Sequence, residues 1–384
     1  MKILLLLNAF EPDGPTTLTL DLARGLRLRH GMECEVAALS RGGPMQSQFK
    51  AFGIPSSVIG SGWRHQFHAL ESMLREGRYD VLHTHLLRAD LLGRWMGERC
   101  GVPLIVSTEH GIHTWSVLSP LLKPLFRKFY LRTSRAARAI VAVSDFVRSQ
   151  LLEEGLPGEK IVVIPNGVDL TRFRPISEEK RQEIRNRLGI SPEATLAVAV
   201  GKMVPLKDHL TFCRAMKLVR EQSQMQHLDI QAAIVGDGPA LVSCREYVRC
   251  HELEKTVQFV GERVGDVEHY IAAADVLVQP SRMESFGLAV VQAMACGVPV
   301  VASRVGGLVE IIQEDKTGYL VESGDTASFA NKILQLAQIP SQRTAMGEAA
   351  FVRAHSQYNV EQTADAYARL YRKLMTVHSS NTSC

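Results

Sequence analysis

A chain of 384 residues, 46% hydrophobic and 22% charged, has enough apolar material for two ordinary globular domains. Its net charge of +4 is too small to argue for a nucleic-acid binder. Its seven cysteines, odd in number and without a C-x-x-C pair, argue against a disulfide scaffold or a zinc ribbon. The opening apolar run Ile3–Leu7 is too short for a signal peptide, and no stretch reaches the length of a membrane span, so the protein is expected to be cytoplasmic or peripheral to a membrane. The positive excess lies in the first half: residues 1–166 hold 20 Lys+Arg against 15 Asp+Glu, and the remainder holds 24 against 25.

Ile3–Leu7 reads as a buried strand of a parallel sheet, followed by a loop containing Gly14 and a helix from about Thr17 to His30. Strands at Glu35–Leu39, Val58–Ile59, Val81–His83, Leu104–Ser107 and Ala139–Val143 alternate with helices near Gln66–Glu76, Ala89–Cys100 and Lys123–Arg138. The first turn lacks a G-x-G-x-x-G fingerprint, which disfavours a dinucleotide-dependent dehydrogenase. His83 and His85 stand one residue apart at a strand end, but no third ligand accompanies them at a useful spacing for a metal. Thr108-Glu109-His110-Gly111 lies at the carboxyl end of a strand, the edge where open α/β sheets bind ligands. From Gly111 to Ser144 there are six cations before Ala139 and no acid until Asp145, interleaved with Leu121, Leu122, Leu125, Phe126, Phe129 and Tyr130. That segment has two readings: a basic amphipathic helix on an anionic membrane or lipid-linked acceptor, or the solvated face of a packing helix.

Ile161–Ile164 ends at Pro165-Asn166-Gly167-Val168-Asp169, a sharp break, and a charged helix is expected across Ser177–Gly189. The strand Ala197–Val200 opens the second half. It leads into Gly201-Lys202-Met203-Val204-Pro205-Leu206-Lys207, a loop with two lysines placed to neutralise a diphosphate. Asp229–Val235 ends in Gly236-Asp237-Gly238-Pro239, and Val257–Val260 ends in Gly261-Glu262-Arg263-Val264. Asp275–Gln279 leads into the block Pro280 to Glu310. In that block a carboxylate, Glu284, precedes Ser285-Phe286-Gly287, and a helix runs from Leu288 to about Cys296. The amino end of that helix suits an anion, and the carboxylate beside it suits hydroxyl groups such as those of a sugar. Helices near Thr326–Gln338 and Val360–Met375 close the chain.

The block Pro280–Glu310 resembles the donor-site signature of the retaining family-4 (group 1) glycosyltransferases. Pro-Ser, a glutamate, Phe-Gly, Ala-Met-Ala, Gly, Pro-Val-Val and Gly-Gly stand in order, with seven residues between Glu284 and the position of the family's second glutamate, here Gln292. Pro165–Asp169 matches the family's Pro-Asn-Gly-Val-Asp, and Lys207 its loop lysine, while Lys202 stands where arginine is usual and Asp13-Gly14 where two glycines are usual.

The resemblance implies a GT-B fold: two Rossmann-like, doubly wound α/β domains. An acceptor-binding domain would cover 1–166 and a donor-binding domain 167–355, with residues 356–384 forming a last helix that crosses back to the first domain, plus a tail. It implies transfer of a sugar from a UDP- or GDP-linked donor to a saccharide or lipid-linked acceptor, with retention and without a metal or other cofactor, in polysaccharide or glycolipid synthesis. His110, Lys207 and Glu284 would act at the reacting sugar. Gly14, Lys202, Lys207, Gly236, Val264, Glu284, Ser285, Phe286, Gly287, Leu288 and Gln292 would hold the donor. Glutamine at 292 offers one acceptor oxygen where the family's glutamate offers two, which implies weaker donor binding. Two alternatives stay open: a sugar-nucleotide 2-epimerase, and a non-catalytic sugar-binding protein of the same fold.

Overall fold

The computed structural model describes residues 1–111, 122–263 and 265–381, with side chains to Thr376. The chain divides into two units, one of residues 1–167 with 360–384 and one of residues 168–359.

In the first unit the near-continuous apolar runs become the central strands, buried on both faces, with shorter, less buried strands at the two edges. The strands are β1 (Lys2–Ala9), β2 (Glu33–Arg41), β3 (Ser56–Val58), β4 (Val81–His85), β5 (Leu104–Glu109), β6 (Ala139–Ala142) and β7 (Ile161–Val163). They form one parallel sheet in the order β3-β2-β1-β4-β5-β6-β7. The order reverses between β1 and β4, so a crevice opens at their carboxyl ends. The intervening helices are α1 (Gly14–His30), α2 (Pro44–Ala51), α3 (Trp63–Gly77), α4 (Leu87–Arg99), α5 (Lys123–Ser134) and α6 (Asp145–Glu153).

Gly14 is not a loop residue. Asp13 caps α1 by accepting the Thr16 amide at 2.9 Å, so the helix begins at Gly14 rather than near Thr17. The basic helix is also shorter than the sequence suggests. It stops at Ser134 because the chain must enter β6, where the Arg138 amide donates to the Ile105 carbonyl at 2.8 Å, so Arg135 and Arg138 lie beyond it. His83 and His85 are both inside β4, which runs two residues further than expected.

The final helix, named α15 below (Val360–Asn381), belongs to this first unit, entered at Val360 rather than at 356. Ala364, Tyr367, Ala368 and Tyr371 join the core beneath β1 and α1. The approach is close because Gly25 has no side chain; a Cβ there would lie 2.5 Å from that of Ala364.

The second unit repeats the plan. Strands β8 (Thr195–Val200), β9 (Ile230–Val235), β10 (Val257–Gly261), β11 (Val276–Gln279), β12 (Val300–Ser303) and β13 (Gly318–Val321) form a parallel sheet in the order β10-β9-β8-β11-β12-β13. Here the reversal lies between β8 and β11. Helices α7 (Glu178–Arg187), α8 (His209–Met225), α9 (Leu241–Cys250), α10 (Val267–Ala272), α11 (Leu288–Ala295), α12 (Leu308–Ile311), α13 (Thr326–Gln338) and α14 (Pro340–Gln357) surround it. Among the described residues no helix is long and apolar enough to cross a membrane.

Candidate active site

The loops that leave β8 and β11 meet over the reversal point of the second sheet. Lys207, in a 3-10 turn after β8, places its ammonium 2.5 Å from Glu284 Oε2, in the loop after β11. Ser281 Oγ and Gln279 Nε2 approach the same oxygen at 3.3 and 3.4 Å. Among the described residues Glu284 Oε1 accepts nothing. The two loops are latched a second time: Arg282 Nε donates to Asp208 Oδ2 at 2.9 Å, and the Arg282 amide donates to the Leu206 carbonyl. Asp208 holds a left-handed backbone (φ +46°), a conformation disfavoured for residues with a side chain, and this latch holds it.

Glycines set the shape of the floor. Gly287 (φ +112°) precedes α11, whose amino end carries no side-chain cap, so the amides of Leu288 and Ala289 have no partner within the helix, while that of Val290 already donates to the Gly287 carbonyl. Gly307 donates its amide to the Glu284 carbonyl, and a Cβ there would lie 2.5 Å from the Ser285 oxygen. Gly236 (φ +152°) lies so close to the loop after β8 that a Cβ would stand 2.0 Å from the Gly201 carbonyl oxygen. Ser285 and Phe286 form the bend into α11; Phe286 is buried edge-on against Tyr358 with ring centres 5.8 Å apart. Gln292 is buried on α11 with no side-chain hydrogen bond among the described residues. Lys202 is exposed. Of the donor-site candidates, Val264 lies outside the described residues, and Gly14 belongs to the first unit.

His110 follows β5 in the first unit. Its Nε2 lies 2.9 Å from His85 Nδ1, with the rings nearly parallel. His83 sits two residues before His85 on the same face of β4, ring centres 4.1 Å apart. Its two nitrogens are taken by the Tyr371 hydroxyl and by Thr108 Oγ1, each at 2.7 Å. Desolvation holds His83 down to about 3 and His110 down to about 4, and pushes His85 well below the ordinary imidazole range, so all three are neutral at pH 7. The strand end before His110 is anchored from beneath. Wholly buried Arg94 donates to Ser107 Oγ at 2.7 Å and Glu109 Oε1 at 2.8 Å, and Tyr130 also donates to Glu109 Oε1. A cavity of about 460 Å³ opens at the β1–β4 reversal, lined by Asn8, Glu11, Asp13, Arg41, Leu86 and Arg88 among others. Arg41 is paired with Glu11 and Asp13 caps α1, whereas Arg88 is exposed and has no ion pair among the described residues.

The Glu284–Lys207 pairing, the Asp208–Arg282 latch and the contact of His85 with His110 escape sequence reading. For the last, the strand alternation of His83 and His85 was the signal available.

The model of the glycosyl transferases group 1 matches residues 180–353, and that of glycosyltransferase family 4 matches residues 12–172. D-inositol 3-phosphate glycosyltransferase 2 of Catenulispora acidiphila is 31% identical over 374 residues, covering 92% of this chain and 82% of that protein. The chain belongs to the family-4, group 1 glycosyltransferases. The UDP-Gal:alpha-D-GlcNAc-diphosphoundecaprenol alpha-1,3-galactosyltransferase of Escherichia coli is 28% identical over 70% of this chain and 69% of that one. Among solved structures, that of Anabaena Alr3699/HepE in complex with UDP-glucose superposes with a TM-score of 0.86 at 22% identity, covering 97% of this chain and all of that one. Two parallel-sheet α/β domains and a helical carboxyl end are therefore a GT-B fold, and the enzyme is a family-4 glycosyltransferase.

Proposed function

We propose that this glycosyltransferase moves a sugar from a UDP- or GDP-linked donor to the hydroxyl of an acceptor that carries an anionic group. Transfer retains the anomeric configuration, needs no divalent metal, and serves cell-surface polysaccharide or glycolipid synthesis. The observation that carries the reading is the Lys207–Glu284 pair at the sheet reversal, beside the uncapped amino end of α11. A cation and a row of amides suit the diphosphate, and the open Glu284 Oε1 suits sugar hydroxyls. As the glycosidic bond breaks, negative charge grows on the diphosphate. Lys207, Lys202 and the amides of Gly287 and Leu288 are the groups that would offset it, and fixed charges of this kind need no reorganisation as the bond breaks. Gln292 would face the ribose, and Gly236 the phosphates.

The acceptor's anion is suggested by Arg88 at the mouth of the first unit's cavity. Two relatives named for acting on a phosphate-bearing inositol and a diphosphate-linked lipid are consistent with it. UDP is the first nucleotide to test, since one relative is named for UDP-Gal and one structural neighbour holds UDP-glucose. Peripheral contact with an anionic membrane would run through α5. Leu122, Leu125, Phe126 and Phe129, spaced to share one side of the helix, are all exposed, and Lys123, Lys128 and Arg132 stand among them.

Thermal-shift binding to UDP-, GDP- and ADP-sugars in EDTA tests the proposal. Stabilisation by one nucleotide class that survives EDTA supports it, and a wild-type protein unmoved by any of them at millimolar concentration overturns it. Turnover to free epimeric nucleotide sugar without an acceptor would move the reading to the 2-epimerase.

A further inference from the structure

The histidines of β4 carry an inference beyond donor chemistry. His85 is fully buried, and its two nitrogens meet different fates. Nδ1 lies 2.9 Å from His110 Nε2, while Nε2 is sealed from solvent with no hydrogen-bond partner among the described residues. A neutral imidazole carries one proton, so the contact between the two rings allows two arrangements. If His110 donates through Nε2, then the proton of His85 sits on its own Nε2, as an N–H buried without an acceptor. If His85 donates through Nδ1, then its Nε2 is a bare lone pair. Orphaned buried N–H groups are the rarer defect, and each one forfeits its full hydration. The second arrangement is the favoured one.

We propose that His85 is a positioning residue that fixes the tautomer of His110: it donates Nδ1–H to His110 Nε2, so that His110 faces the site as a neutral ring whose only donor is Nδ1–H. His110 then serves as a hydrogen-bond donor to an oxygen of the reacting sugar or acceptor and takes no proton from it. The inference rests on the reading of His110 as a ring that faces the transferred sugar.

The surroundings keep the arrangement in place. His83 cannot swing to satisfy His85, because Tyr371 and Thr108 occupy both its nitrogens, and Thr108 Oγ1 also lies 2.8 Å from the Tyr367 hydroxyl. The titratable groups around the pair are His83 on β4, Glu109 on β5, and Tyr367 and Tyr371 on α15. Glu109 is itself bonded to Arg94 and Tyr130. Nδ1 of His110 makes no hydrogen bond among the described residues, and the residue as a whole is partly exposed.

Two-bond proton–nitrogen spectra of the full chain labelled with ¹⁵N-histidine read the tautomers directly, with His110→Gln and His85→Leu used for assignment. The expected spectrum has a protonated Nδ1 and bare Nε2 on both His85 and His110. A proton on His110 Nε2 in the wild type overturns the proposal. In kinetics, His85→Leu should lower kcat about 3- to 10-fold, the value of one neutral hydrogen bond, with the donor KM within about twofold. His85→Asn, whose amide can donate from near the Nδ1 position, should recover most of that loss. A folded His85→Leu variant with wild-type kcat and an unchanged His110 tautomer also overturns it. Should that variant not fold, the wild-type spectrum still decides. A wild type that binds no nucleotide sugar would sink the transferase reading without touching the spectrum, so the two failures are distinguishable.

Discussion

Lys207 and Glu284 make a prediction with opposite signs for the two halves of one ion pair. Without ligand, the Lys207 ammonium is held at 2.5 Å by Glu284, with side chains 27% and 12% exposed. A diphosphate arriving at the loop must share or take that ammonium. Lys207→Met removes a charged hydrogen bond of about 1.5–3 kcal/mol and should weaken UDP binding roughly 10- to 150-fold. Glu284→Gln removes the competing carboxylate and leaves the lysine in place. UDP itself should then bind equally well or up to about fivefold tighter, the worth of a partly exposed pair of at most about 1 kcal/mol. The UDP-sugar should gain nothing from this variant, because the carboxylate proposed to accept from its hydroxyls is gone, so its advantage over UDP should fall about tenfold. Isothermal titration of both ligands in EDTA, on wild type and the two variants, reads all six affinities. If Glu284→Gln weakens UDP as severely as Lys207→Met, Glu284 orients the lysine and does not hold the sugar, and the assignment fails.

Gly307→Ala would put a Cβ 2.5 Å from the Ser285 oxygen and 2.8 Å from Phe286 Cα, both backbone atoms that cannot swing aside. It should cost about 1–3 kcal/mol, lower Tm by roughly 2–10 °C in a heat scan, and weaken the nucleotide sugar as well. Gln292→Glu should tighten UDP about 5- to 10-fold by adding an anionic acceptor for ribose hydroxyls; unchanged affinity would show that residue 292 does not face the ribose. The buried histidines predict acid instability. His83 sits near 3 when folded and near 6.5 when unfolded, so the unfolded chain binds more protons between those values. Stability is therefore fully present above about pH 6.5 and is lost as pH falls toward 3, by up to about 5 kcal/mol for His83 alone. A denaturant midpoint that stays flat from pH 7 to pH 4 would contradict this. Leu125→Glu with Phe129→Glu should reduce sedimentation with anionic phospholipid vesicles while leaving Tm unchanged, since both side chains are exposed. Equal sedimentation of the double variant would dismiss α5 as the contact.

Much of the architecture was legible because parallel strands are buried on both faces and therefore read as unbroken apolar runs, as Ile3–Leu7 and Ala197–Val200 do. The helix Thr326–Gln338 coincides with its expected range, because Asp325 caps it. The helices α2, α6 and α14 were missed. For α6 the signal was present, since Ser144 caps it by accepting the Val147 amide. For α14 it was weak, because small and polar residues such as Ser341, Thr344 and Ser356 dilute the apolar period.

At the site, residue types and spacing along one loop were readable, and partnerships across the sheet were not. Lys207 and Glu284 are 77 residues apart, and Tyr371 reaches His83 across 288. No local pattern encodes such pairs; they follow from the strand order β9-β8-β11 and from the return of α15 beneath the first sheet. The glycines show the same division. Gly287 announced a helix start, but the need for Gly236 and Gly307 arises from backbone atoms of distant loops.

The central claim, transfer of a sugar from a nucleoside diphosphate, is tested most directly by ³¹P and ¹H NMR of one reaction. The purified chain is mixed in EDTA with the nucleotide sugar that stabilises it and with hydroxyl acceptors bearing phosphate or carboxylate. The account predicts that free nucleoside diphosphate appears together with a glycoside that keeps the donor's anomeric configuration, and that Lys207→Met suppresses both. A donor that binds yet is never consumed with any acceptor, or is consumed only when a divalent metal is restored, would contradict it.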